Sequence, residues 1–290
     1  LAVGGMSVLS RAITTDCFSG KNLTKVLTYN SSSWALGPIL GPLIGGYLQH
    51  YFNWQADFYF FGVFGLILLI YAFITLPETN QHFASLRPKR IYQITKIVIT
   101  HPFFLLVSII LALVYAAIVI FNVVGPFLIQ VTLKYSAVDY GHAALLLGTG
   151  YFLGNVTNRF LIHHLHAITI VLWAILGALC TSAIMVILAL FIPLNLWIIL
   201  APSVLFFYFC GFTFPNLMSQ GLAIFPKVAG TANAVFGLII ITGVFLMSLF
   251  AATLKTNTFL PLAITDLVVL VIILILFMFA KRLDPSCQSE

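Results

Sequence analysis

GPILGPLIGG, residues 37–46, places two prolines and four glycines inside an otherwise apolar run. Both residue types are poor choices for the interior of a water-soluble helix, because proline lacks the N–H and glycine loses the most backbone entropy. The flanks, SSSWAL before and YLQHYF after, nevertheless continue the stretch to membrane length. In lipid the balance changes. Tail exclusion gives no drive for one helix to meet another, and small residues let two backbones approach closely. Gly37, Gly41 and Gly45 recur at i, i+4, i+8 and form a groove down one helix face. Pro38 and Pro42 form a second stripe beside it. Each proline removes one backbone bond and lets the helix bend where neighbours satisfy the freed carbonyl.

The rest of the chain places this helix in a membrane. Of 290 residues, 61% are hydrophobic and 7% charged, and the mean hydropathy is +1.11. A soluble domain carries roughly 25% charged residues, so this chain has too little polar surface to cover itself. Its apolar runs are long and continuous, which selects helices over transmembrane strands. Nine such segments are expected, at about 1–13, 27–49, 58–77, 102–131, 137–162, 167–192, 195–224, 230–254 and 259–280. The fold class is therefore all-α integral membrane. The chain opens at Leu1 inside an apolar run, and the first segment is read as incomplete.

The net charge of +6 is a topology signal and not a nucleic-acid footprint. If the segments alternate, eleven of the thirteen basic residues fall on one side: Arg11, Lys21, Lys25, Arg87, Lys89, Arg90, Lys96, Arg159, Lys227, Lys281 and Arg282. Only Lys134 and Lys255 fall on the other. The basic side is cytoplasmic, and so is the C-terminus. The longest polar connection, 78–101, divides 1–77 from a block of six segments at 102–290. A six-helix block after a basic linker is the pattern of half a duplicated transporter. Cys17, Cys180, Cys210 and Cys287 have no paired spacing and read as small hydrophobes.

Several ordered motifs together point to a family. WALGPILGPLIGGYL (34–48) resembles the antiporter motif in the fifth helix of major facilitator superfamily drug exporters. It follows LSRAITTD (9–16) at the inner end of a helix, and it precedes NW (53–54) and an aromatic-rich helix ending in LPET. The series resembles the bicyclomycin/chloramphenicol resistance branch of drug–proton antiporters. The resemblance implies that the nine segments correspond to helices four to twelve of a twelve-helix major facilitator fold. The chain is then expected to lack the first three helices and the acidic and basic motifs they carry. It also implies that the residues Gly37, Pro38, Gly41, Pro42, Gly45 and Gly46 let the fifth helix slide and seal against the second half; a leucine at Gly41 would block that seal. It suggests a cytoplasmic gate role for Arg11 and Asp16, and a matching place for Arg159, whose usual acidic neighbour is missing.

Polar residues within the spans are the remaining candidates, since an intramembrane charge is costly and marks function. Asp266, in LAITDLVV, is the one acid clearly inside; it is a candidate proton carrier, or it faces an outer vestibule near Lys255. Asp57 reads as a first-turn acid complementing a helix dipole. Tyr115, Asn122, Gln130, Asn216, Gln220 and Asn233 are candidate cavity residues, with Asn155 and Asn158 nearby; interhelical packing is the alternative for each. Pro126 is expected to break its helix. His163, His164 and His166 have no carboxylate or cysteine close in sequence and read as added positive charge, so no metal and no cofactor are expected.

The expected function is export of lipophilic drugs or metabolites in exchange for protons by alternating access. The expected partners are the substrate, protons and the bilayer of a bacterial inner membrane, with the protein acting as a monomer and without nucleic acid. No GxxxxGK[ST] is present for a primary pump, and no HExxH or GxSxG for an enzyme. Uptake of a small polar solute, or an inactive remnant of an exporter, are the other readings.

Overall fold

A computed structural model describes residues 13, 37, 40–76, 88–225 and 228–283. Nine helices are found among the described residues. Helix α1 covers residues 40–51. It is followed by α2 (Gln55–Thr75), α3 (Pro88–Thr100), α4 (Pro102–Pro126), α5 (Ala137–Leu161), α6 (Ala167–Phe191), α7 (Leu196–Ala223), α8 (Ala229–Ala251) and α9 (Leu260–Leu283). Six of these spans, α2, α4 with its extension to Thr132, α6, α7, α8 from Gly230 and α9, are long and apolar enough to cross a membrane. Helix α5 has 25 residues, enough to cross, but carries Asp139, His142 and Arg159.

The helix starts follow from local chemistry. The first amide groups of a helix have no partner within it, and a polar side chain just before the first turn supplies one. Asn195 Oδ1 accepts from the Ile198 amide at 3.0 Å and opens α7. Asn53 Oδ1 does the same for Ala56 at 3.0 Å, where the chain turns from α1 into α2. His101 caps α4, with Pro102 in its first turn, where the missing N–H costs nothing.

Pro126 does not end its helix. The chain passes directly into a π-helical turn over Phe127–Thr132. Proline cannot donate to the carbonyl four residues back, and a wider turn absorbs the mismatch. The Leu133 amide bonds the Leu128 carbonyl at 3.0 Å, five residues back. Lys134, with φ of 62°, then stops the run. The connection expected to be a plain linker also contains structure. Helix α3 packs on α8 and α4; it buries Val98 while Tyr92 and Ile97 stay exposed.

The chain forms two compact units. Unit one holds α1, α2 and the first turns of α5 (Ala137–Ala144); unit two holds Pro88–Ser136 and the chain from Leu145 onward. In the second unit α4 packs against α7, α8 and α9, and α6 against α7 and α9. Aromatic rings fill the α4–α8 contact, with Phe104 and Phe236 centred 4.6 Å apart. Between α5 and α7 the backbones themselves meet. A Cβ on Gly150 would lie 2.7 Å from the Val204 carbonyl oxygen, and one on Gly211 2.5 Å from that of Tyr151. Gly154 sits against the Tyr208 carbonyl in the same way. Backbone cannot yield as a flexible side chain can, so these are positions where size is not negotiable. Gly154→Ala is expected to cost about 1–3 kcal/mol, as for overpacking in a core. Thermal unfolding in detergent should show the loss, while Gly237→Ala, with no described atom within 4 Å of the added carbon, leaves the midpoint in place.

Candidate functional site

The glycine–proline helix makes its closest contact within the first unit. A Cβ on Gly46 of α1 would lie 2.6 Å from the Ala137 carbonyl oxygen of α5. Reciprocally, one on Gly141 of α5 would lie 3.0 Å from the Pro42 carbonyl oxygen and 3.2 Å from Leu43 Cα. Each helix thus puts a glycine against the other's backbone. The face doing so is Pro42–Gly46, the continuation of the proline stripe. The expected glycine stripe points elsewhere. Gly45 faces the Asp57 carboxylate at 3.6 Å, and Gly37 and Gly41 meet nothing within 4 Å among the described residues. Pro38 lies outside the described residues, as do Arg11 and Asp16.

Two further features flank this contact. Asp57 sits in the first turn of α2, as expected for a dipole-complementing acid, and its Oδ1 is buried without a partner. Next to Gly46 and Gly141 in sequence, Tyr47 and His142 are joined by a hydrogen bond of 3.2 Å between the hydroxyl and Nε2. The Tyr47 ring stacks on Tyr51 with centroids 6.3 Å apart. This pair is 95 residues apart in sequence; the only hint in the sequence was a histidine beside a helix glycine.

Within the second unit the candidate cavity residues divide. Asn216 is fully buried and donates from Nδ2 to Asn158 Oδ1 and to the Phe212 carbonyl, both at 2.7 Å. It fastens α7 to α5, so the packing alternative describes it. Tyr208 adds a bond from its hydroxyl to Thr157 at 3.3 Å. Tyr115 pairs by side-chain hydrogen bond with Tyr151, which also bonds Asn155, and the Tyr115 ring lies 5.3 Å from that of Phe214. Gln130, Gln220 and Asn233 are half-buried, and Asn122 is exposed. Gln220 lines a small pocket of about 10 Å³ with Phe103, Val107 and Leu217, too small for a drug. Of the six, Gln220 alone lines this pocket. Arg159 is exposed in the last turn of α5. His163, His164 and His166 lie in the exposed turn before α6. Asp266 is 1% exposed, so it is buried in the bundle and does not open onto a vestibule.

The family model of the Major Facilitator Superfamily matches residues 1–248. The chain belongs to the major facilitator superfamily. It is therefore a member of a transporter family and not an enzyme. An uncharacterized transporter of Rickettsia felis is 27% identical over 243 residues, covering 80% of this chain and 60% of the relative. One from Rickettsia bellii is 27% identical over 288 residues, covering 93% and 71%. The bicyclomycin resistance protein homolog of Haemophilus influenzae is 28% identical over 268 residues, covering 89% and 65%. The matches span between 60% and 71% of these relatives' own length.

The Asn158–Asn216 bond can be measured directly. A double-mutant cycle with alanine at each position is expected to return a coupling of about 0.5–1.5 kcal/mol, the range for interhelical hydrogen bonds in membranes. Additive losses would show that the two amides stabilise the bundle independently.

Proposed function

We propose that the protein is a multidrug efflux transporter, exporting lipophilic drugs or metabolites in exchange for protons by alternating access. It works as a monomer in a bacterial inner membrane, with its C-terminus in the cytoplasm. The observation that carries this reading is the reciprocal glycine contact of α1 and α5. A helix bearing the antiporter motif is useful only where it can close tightly and release. Backbone against backbone without interlocking side chains supports both. A side-chain interdigitation would have to be withdrawn at each cycle; a smooth glycine contact need only separate. The charge bias of the loops supports the orientation, and the drug-resistance name of the Haemophilus relative supports the substrate class.

The residues have separate parts in this mechanism. Pro42 and Gly46 on α1, with Gly141 on α5, form the closing surface. Tyr47 and His142 clasp its edge through one hydrogen bond, weak enough to break in a cycle. The aromatic rings and uncharged amides of the second bundle suit apolar ligands of varied shape, since few fixed polar groups demand a match.

The test is accumulation of a fluorescent lipophilic cation in cells expressing the protein. Accumulation should fall relative to cells without it and recover when a protonophore collapses the gradient. Gly46→Leu should abolish the fall while the protein still inserts in the membrane at normal levels, because the added side chain has only the Ala137 backbone to occupy. Gly41→Leu, facing no described atom, should have the smaller effect. Full export by the Gly46→Leu variant, or accumulation indifferent to the protonophore, would contradict the proposal.

A further inference from the structure

Asp266 lies in the seventh position of α9, within a membrane span. It is 1% exposed, and its Oδ1 has no hydrogen-bond partner. Buried polar atoms in folded proteins are nearly always paired, and an orphan calls for an explanation. Among the described residues, no cation lies on the helices that pack beside it. On its own helix Leu262, Ala263, Val269 and Leu270 are buried around it. Helix α9 packs against α4 and α6, and Cys210 of α7 is within electrostatic reach. Helices α4, α6, α7 and α8 contain no Asp, Glu, Lys, Arg or His at all. Their titratable groups are Tyr115 on α4, Cys180 on α6, and Tyr208 and Cys210 on α7. Cys180 is exposed, Tyr115 is engaged with Tyr151, and Tyr208 with Thr157. Along α9 the nearest cations, Lys281 and Arg282, begin about 22 Å further on at the helix rise of about 1.5 Å per residue, and Lys255, on the connection before α9, is exposed.

An ionised carboxylate here would carry its full desolvation cost with no counter-ion. A purely structural acid would spend both oxygens on donors. Asp266 leaves its Oδ1 without a donor. Neutral, it fits this closed packing; ionised, it fits only a conformation that admits water or a cation. That dependence of charge on conformation is what a coupling site requires. The neighbouring helix α7 contains Pro202 and Pro215, whose missing amides mark places where it can bend.

We propose that Asp266 is a proton-carrying site of the C-terminal bundle, holding a proton in the closed packing and exchanging it with water when the bundle opens. Its use in coupling rests on the antiport reading given above. Its protonation and its exchange with water do not.

The experiment is infrared spectroscopy of the purified protein in lipid bilayers at neutral pH, in H2O and then in D2O. The carbonyl stretch of a protonated carboxyl group should be present in the wild type, absent in Asp266→Asn and retained in Asp266→Glu. It should shift after transfer to D2O. Unchanged size-exclusion profiles would show that the nearly isosteric variants fold. No band lost in Asp266→Asn would mean an ionised carboxylate and overturn the proposal. A band that never responds to D2O would mean a sealed structural acid and overturn it as well. Where drug export is observed, Asp266→Asn should lose at least tenfold of its dependence on the proton gradient, and full gradient-driven export would remove the carrier role. If the wild type moves no drug but the band behaves as expected, the antiport reading fails and the protonation site stands.

Discussion

In lipid, helices gain nothing from hiding apolar side chains, because the solvent is as apolar as they are. Close contact must come from shape, and the tightest shape available is backbone on backbone. The first unit depends on this. Gly46 removes the side chain that would strike the Ala137 carbonyl, and Gly141 removes the one that would strike Pro42. The pair of absences sets how near α1 and α5 can come. It also brings Tyr47 within 3.2 Å of His142. The prolines that look destabilising in water are tolerated here because each forfeits a single backbone bond, and one of them contributes its own carbonyl to the contact surface.

The second unit uses the same device between α5 and α7, then adds polar fastening. Gly150, Gly154 and Gly211 bring the two backbones together, which places Asn158 and Asn216 at 2.7 Å. Around this lies an interior stripped of charge. Four of its helices carry no Asp, Glu, Lys, Arg or His, and Asp266, the one fully buried carboxylate among the described residues, keeps an Oδ1 without a hydrogen-bond partner there. Glycine contacts give the packing its fixed distances; the lack of charge makes the single exception consequential.

Six of the nine expected spans are legible because membrane thickness imposes long apolar runs; the segment at 1–13 and most of that at 27–49 lie outside the described residues. The expected segment at 102–131 became Pro102–Thr132, and 195–224 became Leu196–Ala223. Helix α3 was not legible, since a short amphipathic stretch in a basic connection has no membrane-length signal. Pro126 reads as a break because proline usually is one; that the freed turn widens instead depends on neighbours no local pattern reveals. The glycine–proline motif is legible in the sequence, but the face that meets α5 is not. The stripes 37–41–45 and 42–46 differ by about 100° around the helix, and only the partner decides which one faces it. The Tyr47–His142 pair and the Asn158–Asn216 bond are long-range facts of the same kind. The two amides stand out in the sequence as polar residues in apolar spans, but that they bond each other is visible only in the fold.

The central claim is that the α1–α5 contact closes and releases as a unit. Spin labels at Phe52, exposed just after α1, and at Tyr140, half-buried on α5, would report the separation of the two helices by pulsed electron paramagnetic resonance in bilayers. The account predicts two distance populations whose ratio shifts with pH and with a lipophilic cation, and a collapse toward the longer distance in the Gly46→Leu variant. A single distance, unmoved by pH, ligand or that substitution, would contradict it.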